Sequence, residues 1–184
     1  MTFLIFCMIA YMIGSVPTGK IVSRLKGIDI QAIGTKNIGA SNVYLNLGKK
    51  MAILVLIGDM GKAFLMVTYA SQYFSVGQTM FIGLCVIIGN LKSMFLNFTG
   101  GKGIATSLGI FLATEPIALF VLGFLWLLAL LFKKYSLLAG IGAILLIPYQ
   151  YVWYGEIIAV LSVFLIILFM LLKHQENFVW ARVK

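Results

Sequence analysis

Charged residues are scarce in this 184-residue sequence: Asp, Glu, Lys and Arg together make up 10%, and only five residues are acidic. Hydrophobic residues make up 62%, and the mean hydropathy is +1.07. This composition excludes an ordinary soluble domain and indicates an integral membrane protein. Only two cysteines occur, Cys7 and Cys85, and both lie in apolar segments. They predict small buried side chains and give no sign of a disulfide or a metal site.

Long apolar runs predict an all-α bundle of seven transmembrane helices in one domain, residues 1–184. The predicted spans are residues 3–23, 51–71, 76–91, 103–114, 116–132, 136–152 and 157–173. The fourth is too short, because about 12 residues reach about 18 Å of the roughly 30 Å apolar layer. It is interpreted as a half-helix that follows a glycine-rich re-entrant loop and directs its dipole at an anion.

The distribution of basic residues predicts the orientation in the membrane. With seven spans, the Lys- and Arg-bearing loops all fall on one side, and the three opposite loops contain neither residue. By the positive-inside rule the C-terminus is cytoplasmic and the N-terminus is outside. The net charge of +9 then describes a cytoplasmic face that attracts anionic lipid and phosphorylated substrates. No aromatic-interleaved basic patch in a soluble module is present, so no nucleic-acid partner is expected.

Two polar segments are candidate phosphate sites. Residues 99–106 read Thr-Gly-Gly-Lys-Gly-Ile-Ala-Thr, in which glycines allow close approach of an anion and Lys102 adds a charge. The alternative is close helix packing through small residues. The loop at residues 29–43 is dense in hydroxyl and amide groups that could donate to an oxyanion. Its alternative interpretation is a solvated connector with ordinary turns.

Two pairs of polar residues have helical spacing. Asp59 and Lys62 are three residues apart within an apolar span, so they are predicted to pair, either near the site or as a structural brace. His174 and Asn177 have the same spacing at the end of the last span. They could present a base and an amide donor to a substrate. A solvated helix end is the alternative.

Taken in order, these motifs resemble those of the PlsY family, the bacterial membrane acyl-phosphate:glycerol-3-phosphate acyltransferases. The matching segments are residues 14–20, 34–43, Asp59 with Lys62, 98–106 and 173–177. The resemblance implies a multi-pass protein of the bacterial plasma membrane with a cytoplasmic active site. It also implies acyl transfer from acyl phosphate to the 1-hydroxyl of glycerol 3-phosphate, forming lysophosphatidic acid, with no metal or organic cofactor. Nothing in the sequence indicates an oligomeric state.

The resemblance also implies roles for individual residues. The catalytic set is Thr35, Lys102, His174 and Asn177, and the acyl tail would enter from membrane lipid through an apolar groove. The substrate-binding set is Lys36, Asn37, Asn42, Gly100, Gly101, Gly103, Asp59 and Lys62.

Several positions depart from the family pattern. Leu45 stands where a basic residue is expected and Asn90 where histidine is expected, and Thr35 replaces serine. Glycine is replaced by Lys36 and by Ala63, and the first lysine of the glycine-rich motif is Thr99. Losing a phosphate-binding guanidinium would remove roughly 1.5 to 3 kcal/mol of binding free energy. The nearby charge of Lys36 is the candidate to replace that contact. Two alternatives therefore accompany acyl transfer: a lipid- or phosphate-binding relative with altered catalysis, and a small membrane transporter.

Overall fold

The structure, a computed structural model, describes residues 1–117, 119–120, 124 and 155–181; for residues 171 and 174–181 it describes the backbone alone. Within these ranges the chain is helical, without a β-strand beyond one isolated bridge between Ser93 and Thr99. The α-helices are α1 Thr2–Ser15, α2 Thr18–Arg24, α3 Ala40–Leu47, α4 Lys49–Ala70, α5 Val76–Leu91, α6 Ile104–Thr114 and α7 Ile157–Ala181. A single 3-10 turn covers Met94–Leu96. The all-α prediction is confirmed for this part of the chain.

Three predicted spans match helices closely, whereas the seventh, 157–173, begins with α7 but ends before it, because α7 continues to Ala181. The third span, 76–91, coincides with α5. The first and last residues of the second and fourth spans lie within two residues of those of α4 and α6. By length and composition, residues 2–24 taken together and α4 are long enough to cross a membrane. The apolar helices α5 and α6 are shorter, and α6 has 11 residues, or about 17 Å; in α7 the apolar segment is Ile157–Met170. The predicted span 136–152 and most of 116–132 lie outside the described residues.

The first predicted span, 3–23, is interrupted rather than continuous. Val16 ends α1 with φ −58° and ψ 114°, because a residue that precedes a proline is disfavoured in the helical region. Pro17 then precedes the first residue of α2. The Val16 carbonyl, released from the helix, accepts a 2.8 Å hydrogen bond from Lys62 Nζ. The break therefore joins α1 to α4 at a charged side chain.

Small residues bring the helices of the bundle close together. A Cβ at Gly14 would overlap the Val86 carbonyl, and one at Gly89 would overlap the Tyr11 carbonyl, so α1 and α5 touch through their backbones. Such contacts are typical of membrane helices, where dispersion and close packing replace the hydrophobic driving force. The main apolar core contains buried side chains of α1, α4, α5, α6 and α7.

α5 and α7 run in the same direction through the bundle. Glu156, directly before α7, accepts hydrogen bonds from the Gly77 amide at 2.8 Å and the Ser75 hydroxyl at 3.0 Å, which places the two helix starts together. At the other end, Lys92 and Lys173 border the same groove. This end of the bundle, where α5 ends and α6 begins, is called the loop end below.

Candidate functional site

A polar cavity of about 240 Å3 opens at the loop end, between segments that are far apart in the sequence. One wall is the first loop and the start of α3, and the opposite wall is the glycine-rich loop and the first turn of α6. The lining residues are Thr35, Asn37, 39–42, Leu56, Asp59, Asn90 and 101–106. Both candidate phosphate segments therefore face the same cavity.

The glycine-rich wall has the properties of an anion site. Gly103 precedes α6 with φ +78°, a conformation that glycine adopts without strain. The amides of the first turn of a helix have no acceptor within the helix, and here residues 104–106 line the cavity. Lys102 also lines the cavity, next to the positive end of the α6 dipole. The arrangement concentrates positive potential on one small volume, which suits a phosphate group.

The glycine-rich loop is held against the end of α5. The Gly101 amide donates to the Asn90 carbonyl at 2.9 Å, and a Cβ at Gly100 would overlap that carbonyl. Ser93 closes the turn: its hydroxyl donates to the Ser15 carbonyl at 2.5 Å, and its amide donates to the Thr99 carbonyl at 3.0 Å. The glycines therefore pack closely against α5 while the same loop lines the polar cavity, so the two sequence interpretations are compatible.

Asp59 is a buried acceptor in the wall of the cavity, 7% exposed. Its Oδ1 atom lies 2.8 Å from Lys62 Nζ, so the predicted pair is formed. The same atom accepts from the Thr18 hydroxyl at 2.9 Å and, more weakly, from the Asn90 amide at 3.5 Å. The carboxylate thereby connects α2, α4 and α5 behind the glycine-rich loop. Its charge is balanced by Lys62.

Asn42 organises the first loop. Its Nδ2 group donates to the carbonyls of residues 30, 33 and 37 at 2.9 to 3.1 Å, and its Oδ1 atom accepts from the Thr35 amide at 2.9 Å. The predicted loop 29–43 is shorter than expected, because residues 40–43 already belong to α3. Asn37 accepts from the Gly39 amide at 2.8 Å. The loop is therefore an ordered wall that presents Thr35 and Asn37 to the cavity.

Some predicted binding residues lie beside the cavity. Lys36, Gly100 and Lys62 are absent from its lining in the described part of the chain, although each neighbours a lining residue in sequence or in space. Lys36 is exposed and has φ +59°, unusual for a side chain other than glycine. Direct substrate contact by these three residues stays a prediction.

The side chains of His174 and Asn177 lie outside the described residues, but the backbone of α7 carries both. The Ser107 hydroxyl of α6 contacts the Met170 sulfur at 3.0 Å, which fixes the relative height of the two helices. α7 runs toward the loop end, and α6 begins there and runs away from it. Gly103 lies four residues before Ser107, about 6 Å along α6 toward the loop end. Position 174 lies four residues after Met170, the same distance along α7 in the same direction. The backbone at position 174 reaches the height of the glycine-rich loop.

Several lining residues were not predicted as site residues. In the sequence, Asn90 is only a departure from the family pattern, and Ser41 and Thr106 carry no signal of their own, yet all three line the cavity. The signal that could have identified Asn90 is its amide within an otherwise apolar helix, because polar groups at such positions usually face the protein interior.

Comparison with known proteins agrees with this geometry. A family profile described as Glycerol-3-phosphate acyltransferase matches residues 4–182. A glycerol-3-phosphate acyltransferase of Fusobacterium nucleatum is 36% identical over 181 residues, covering 96% of this chain and 93% of the relative. That of Syntrophotalea carbinolica is 40% identical over 182 residues, covering 96% and 92%. These relatives span nearly the whole chain.

The fold is similar to crystal structures of PlsY (YgiH), an integral membrane glycerol 3-phosphate acyltransferase. Its glycerol 3-phosphate form has a TM-score of 0.87 and 30% identity, covering 97% of this chain and 90% of that one. Its lysophosphatidic acid form has a TM-score of 0.85. The described helices and this likeness thus indicate an all-helical integral membrane enzyme. This chain belongs to the glycerol-3-phosphate acyltransferase family.

Proposed function

We propose that this protein transfers an acyl group from acyl phosphate to the 1-hydroxyl of glycerol 3-phosphate, forming lysophosphatidic acid. The observation that carries the proposal is the cavity at the loop end, where Lys102 and the first turn of α6 face the ordered wall of Thr35 and Asn37. Family membership supports the same activity.

The reaction needs alignment and charge stabilisation more than a nucleophilic side chain. Acyl phosphate is an activated mixed anhydride, so the substrate hydroxyl attacks the acyl carbon directly. A bond forms between these atoms, and the bond from the acyl carbon to the bridging phosphate oxygen breaks. Phosphate leaves with that electron pair, while the hydroxyl proton passes to the His174 imidazole or to a phosphate oxygen. Preorganised donors lower the barrier by stabilising charge that develops on the carbonyl and phosphate oxygens.

Each wall has a part in this scheme. Lys102 and the first-turn amides of α6, directly after Gly103, hold a phosphate, since they combine a full charge with helix-start donors. Gly101 lines the cavity beside them, with its own amide bonded to the Asn90 carbonyl. Thr35, Lys36 and Asn37 supply donors from the first loop. His174 and Asn177 place the glycerol 3-phosphate hydroxyl from α7. Gly100 keeps the glycine-rich loop against α5, and Asn42, Asp59 and Lys62 keep the walls in register.

The membrane arrangement belongs to the same proposal. One domain of seven spans lies in the bacterial plasma membrane, with the N-terminus outside and the C-terminus and cavity at the cytoplasm. The collection of lysines at the loop end supports this orientation through the positive-inside rule. The acyl tail reaches the cavity from the bilayer.

A two-substrate assay tests the activity. The full chain, purified in detergent, should form lysophosphatidic acid and inorganic phosphate only when both acyl phosphate and glycerol 3-phosphate are present. Lys102→Ala should lower kcat/KM about 10- to 150-fold, the loss expected for a charge-assisted phosphate contact. Lys26→Ala removes an exposed lysine in the turn after α2 and should have no effect. Absence of product, or equal rates for the two variants, would contradict the proposal.

Binding without turnover is the second candidate function. It is favoured by Leu45, which leaves α3 without the basic side chain expected beside the cavity. Calorimetry would then show glycerol 3-phosphate binding that depends on Lys102, while the assay shows no product.

A further inference from the structure

A second cavity lies between α5 and α7, separate from the polar cavity. It has a volume of about 400 Å3 and is lined by Ile88, Leu91, Lys92, Phe169, Leu172 and Lys173. None of these residues lines the polar cavity. This α5–α7 groove takes no part in the scheme proposed for acyl transfer.

The groove has the same pattern on both of its helices. α5 contributes Ile88 and Leu91 and then Lys92; α7 contributes Phe169 and Leu172 and then Lys173. In each helix the apolar residues are three apart, so they share one face, and the lysine follows directly. Because α5 and α7 run in the same direction, both ammonium groups lie at the loop end of an apolar trough.

The position of Lys92 is fixed by the structure. Its amide donates to the Ile88 carbonyl at 2.8 Å, and its carbonyl accepts from the Tyr11 hydroxyl of α1 at 2.8 Å. It stands at the end of a 16-residue apolar helix, about 24 Å from the start of α5, where a lysine reaches the membrane interface. The cationic end of the groove is therefore placed at the level of lipid headgroups.

The chemistry of the groove selects its occupant. Two ammonium groups and no carboxylate occur among the six described lining residues, and the other four side chains are apolar. Leu172 remains 50% exposed, which leaves apolar surface on the outer side of α7 for an acyl chain. None of these six side chains carries a hydroxyl or an amide that could orient a reacting group. Such a site recognises charge and hydrocarbon together, as an anionic lipid presents them.

Leu91 lies between the groove and the glycine-rich loop and lines only the groove. Leu91 is 5% exposed, and its Cδ2 atom lies 3.6 Å from the position a Cβ would take at Gly103. Leu91 thus contacts the glycine-rich loop and also borders the groove. We infer that the α5–α7 groove binds an anionic phospholipid of the surrounding bilayer, with its phosphate on Lys92 and Lys173 and its chain along Leu172 and Phe169. This binding requires the membrane location and is independent of acyl transfer.

Native mass spectrometry of the full chain in detergent tests this site, with dioleoyl phosphatidic acid and dioleoyl phosphatidylcholine as probes. The wild type should retain phosphatidic acid in preference to phosphatidylcholine. Lys92→Gln should weaken that retention about fivefold, because one lysine near the surface attracts an anionic lipid by about that factor. The double variant with Lys173→Gln should weaken it about 25-fold, because the two factors multiply. Lys26→Gln, an equal loss of charge outside the groove, should leave it unchanged.

Two further arms identify the occupant. Leu172→Trp, a change at a half-exposed position, should reduce retention of phosphatidic acid by filling the trough, and an unchanged melting temperature without lipid would show that it folds. Retention that is equal in the double variant and the wild type would overturn the site. So would release of the lipid by Lys102→Ala or by saturating glycerol 3-phosphate, because the lipid would then occupy the polar cavity. Dimers without lipid would assign the groove to a second copy of this chain.

Discussion

Replacing Asp59 by asparagine should destabilise the protein more than any effect of side-chain volume would predict. Asp59 and Lys62 are 2.8 Å apart, and their side chains are 9% and 10% exposed. The substitution keeps the shape but leaves the Lys62 ammonium buried without a counter-charge. Removing one partner of a buried pair costs about 3 to 5 kcal/mol, so the unfolding equilibrium constant should rise at least about 100-fold.

Reversible unfolding in mixed detergent micelles, followed by circular dichroism, measures this change. Asp29→Asn is the matched control, because Asp29 pairs with Lys20 at 4.0 Å and its side chain is 55% exposed. A pair of that kind contributes about 0 to 1 kcal/mol. The two Asp→Asn variants should therefore differ clearly in stability.

The double variant Asp59→Asn/Lys62→Met separates a charge effect from a general loss of packing. Replacing both members of a buried pair is often nearly neutral, so the double variant should recover most of the stability lost by Asp59→Asn. If it is as unstable as Asp59→Asn, or if Asp59→Asn costs no more than Asp29→Asn, the reasoning from an unpaired buried ammonium is wrong.

Two further predictions concern the walls of the polar cavity. Gly100→Ala should lower both activity and melting temperature, at a cost of about 1 to 3 kcal/mol, because its Cβ would overlap a backbone carbonyl of α5. Gly61→Ala, with open space at the Cβ position, is the control, and equal effects in thermal unfolding would contradict the account. Leu45→Arg should lower the KM for glycerol 3-phosphate about tenfold by adding a charge-assisted phosphate contact near the cavity. Leu45 is 70% exposed, so the Leu45→Arg variant should fold. The control is Tyr44→Arg, whose side chain points about 100° away around α3 and should leave the KM unchanged. An unaltered KM in Leu45→Arg would refute the prediction.

Features that depend on neighbours along the chain could be predicted from the sequence. The apolar runs gave the positions of α4, α5 and α6. Because a helix needs a minimum apolar length to cross a bilayer, the short run of α6 also indicated that it does not cross completely. The pair of Asp59 and Lys62 followed from their three-residue spacing, which places both side chains on one helix face. The glycine-rich loop before α6 was likewise evident, because a backbone conformation such as that of Gly103, with φ +78°, is a local requirement for glycine.

Contacts between distant residues were decided only by the tertiary structure. Thr18 bonds to Asp59 across 41 positions, and Asn90 reaches it across 31, so no local pattern could reveal that these residues brace one site. The sequence likewise could not show that Asn42 uses its amide within its own loop. The apolar runs determine which residues form membrane helices. Packing between the helices decides which of them meet and which polar groups remain to bind a substrate. The order of the helices in the sequence does not say which of them are close in space.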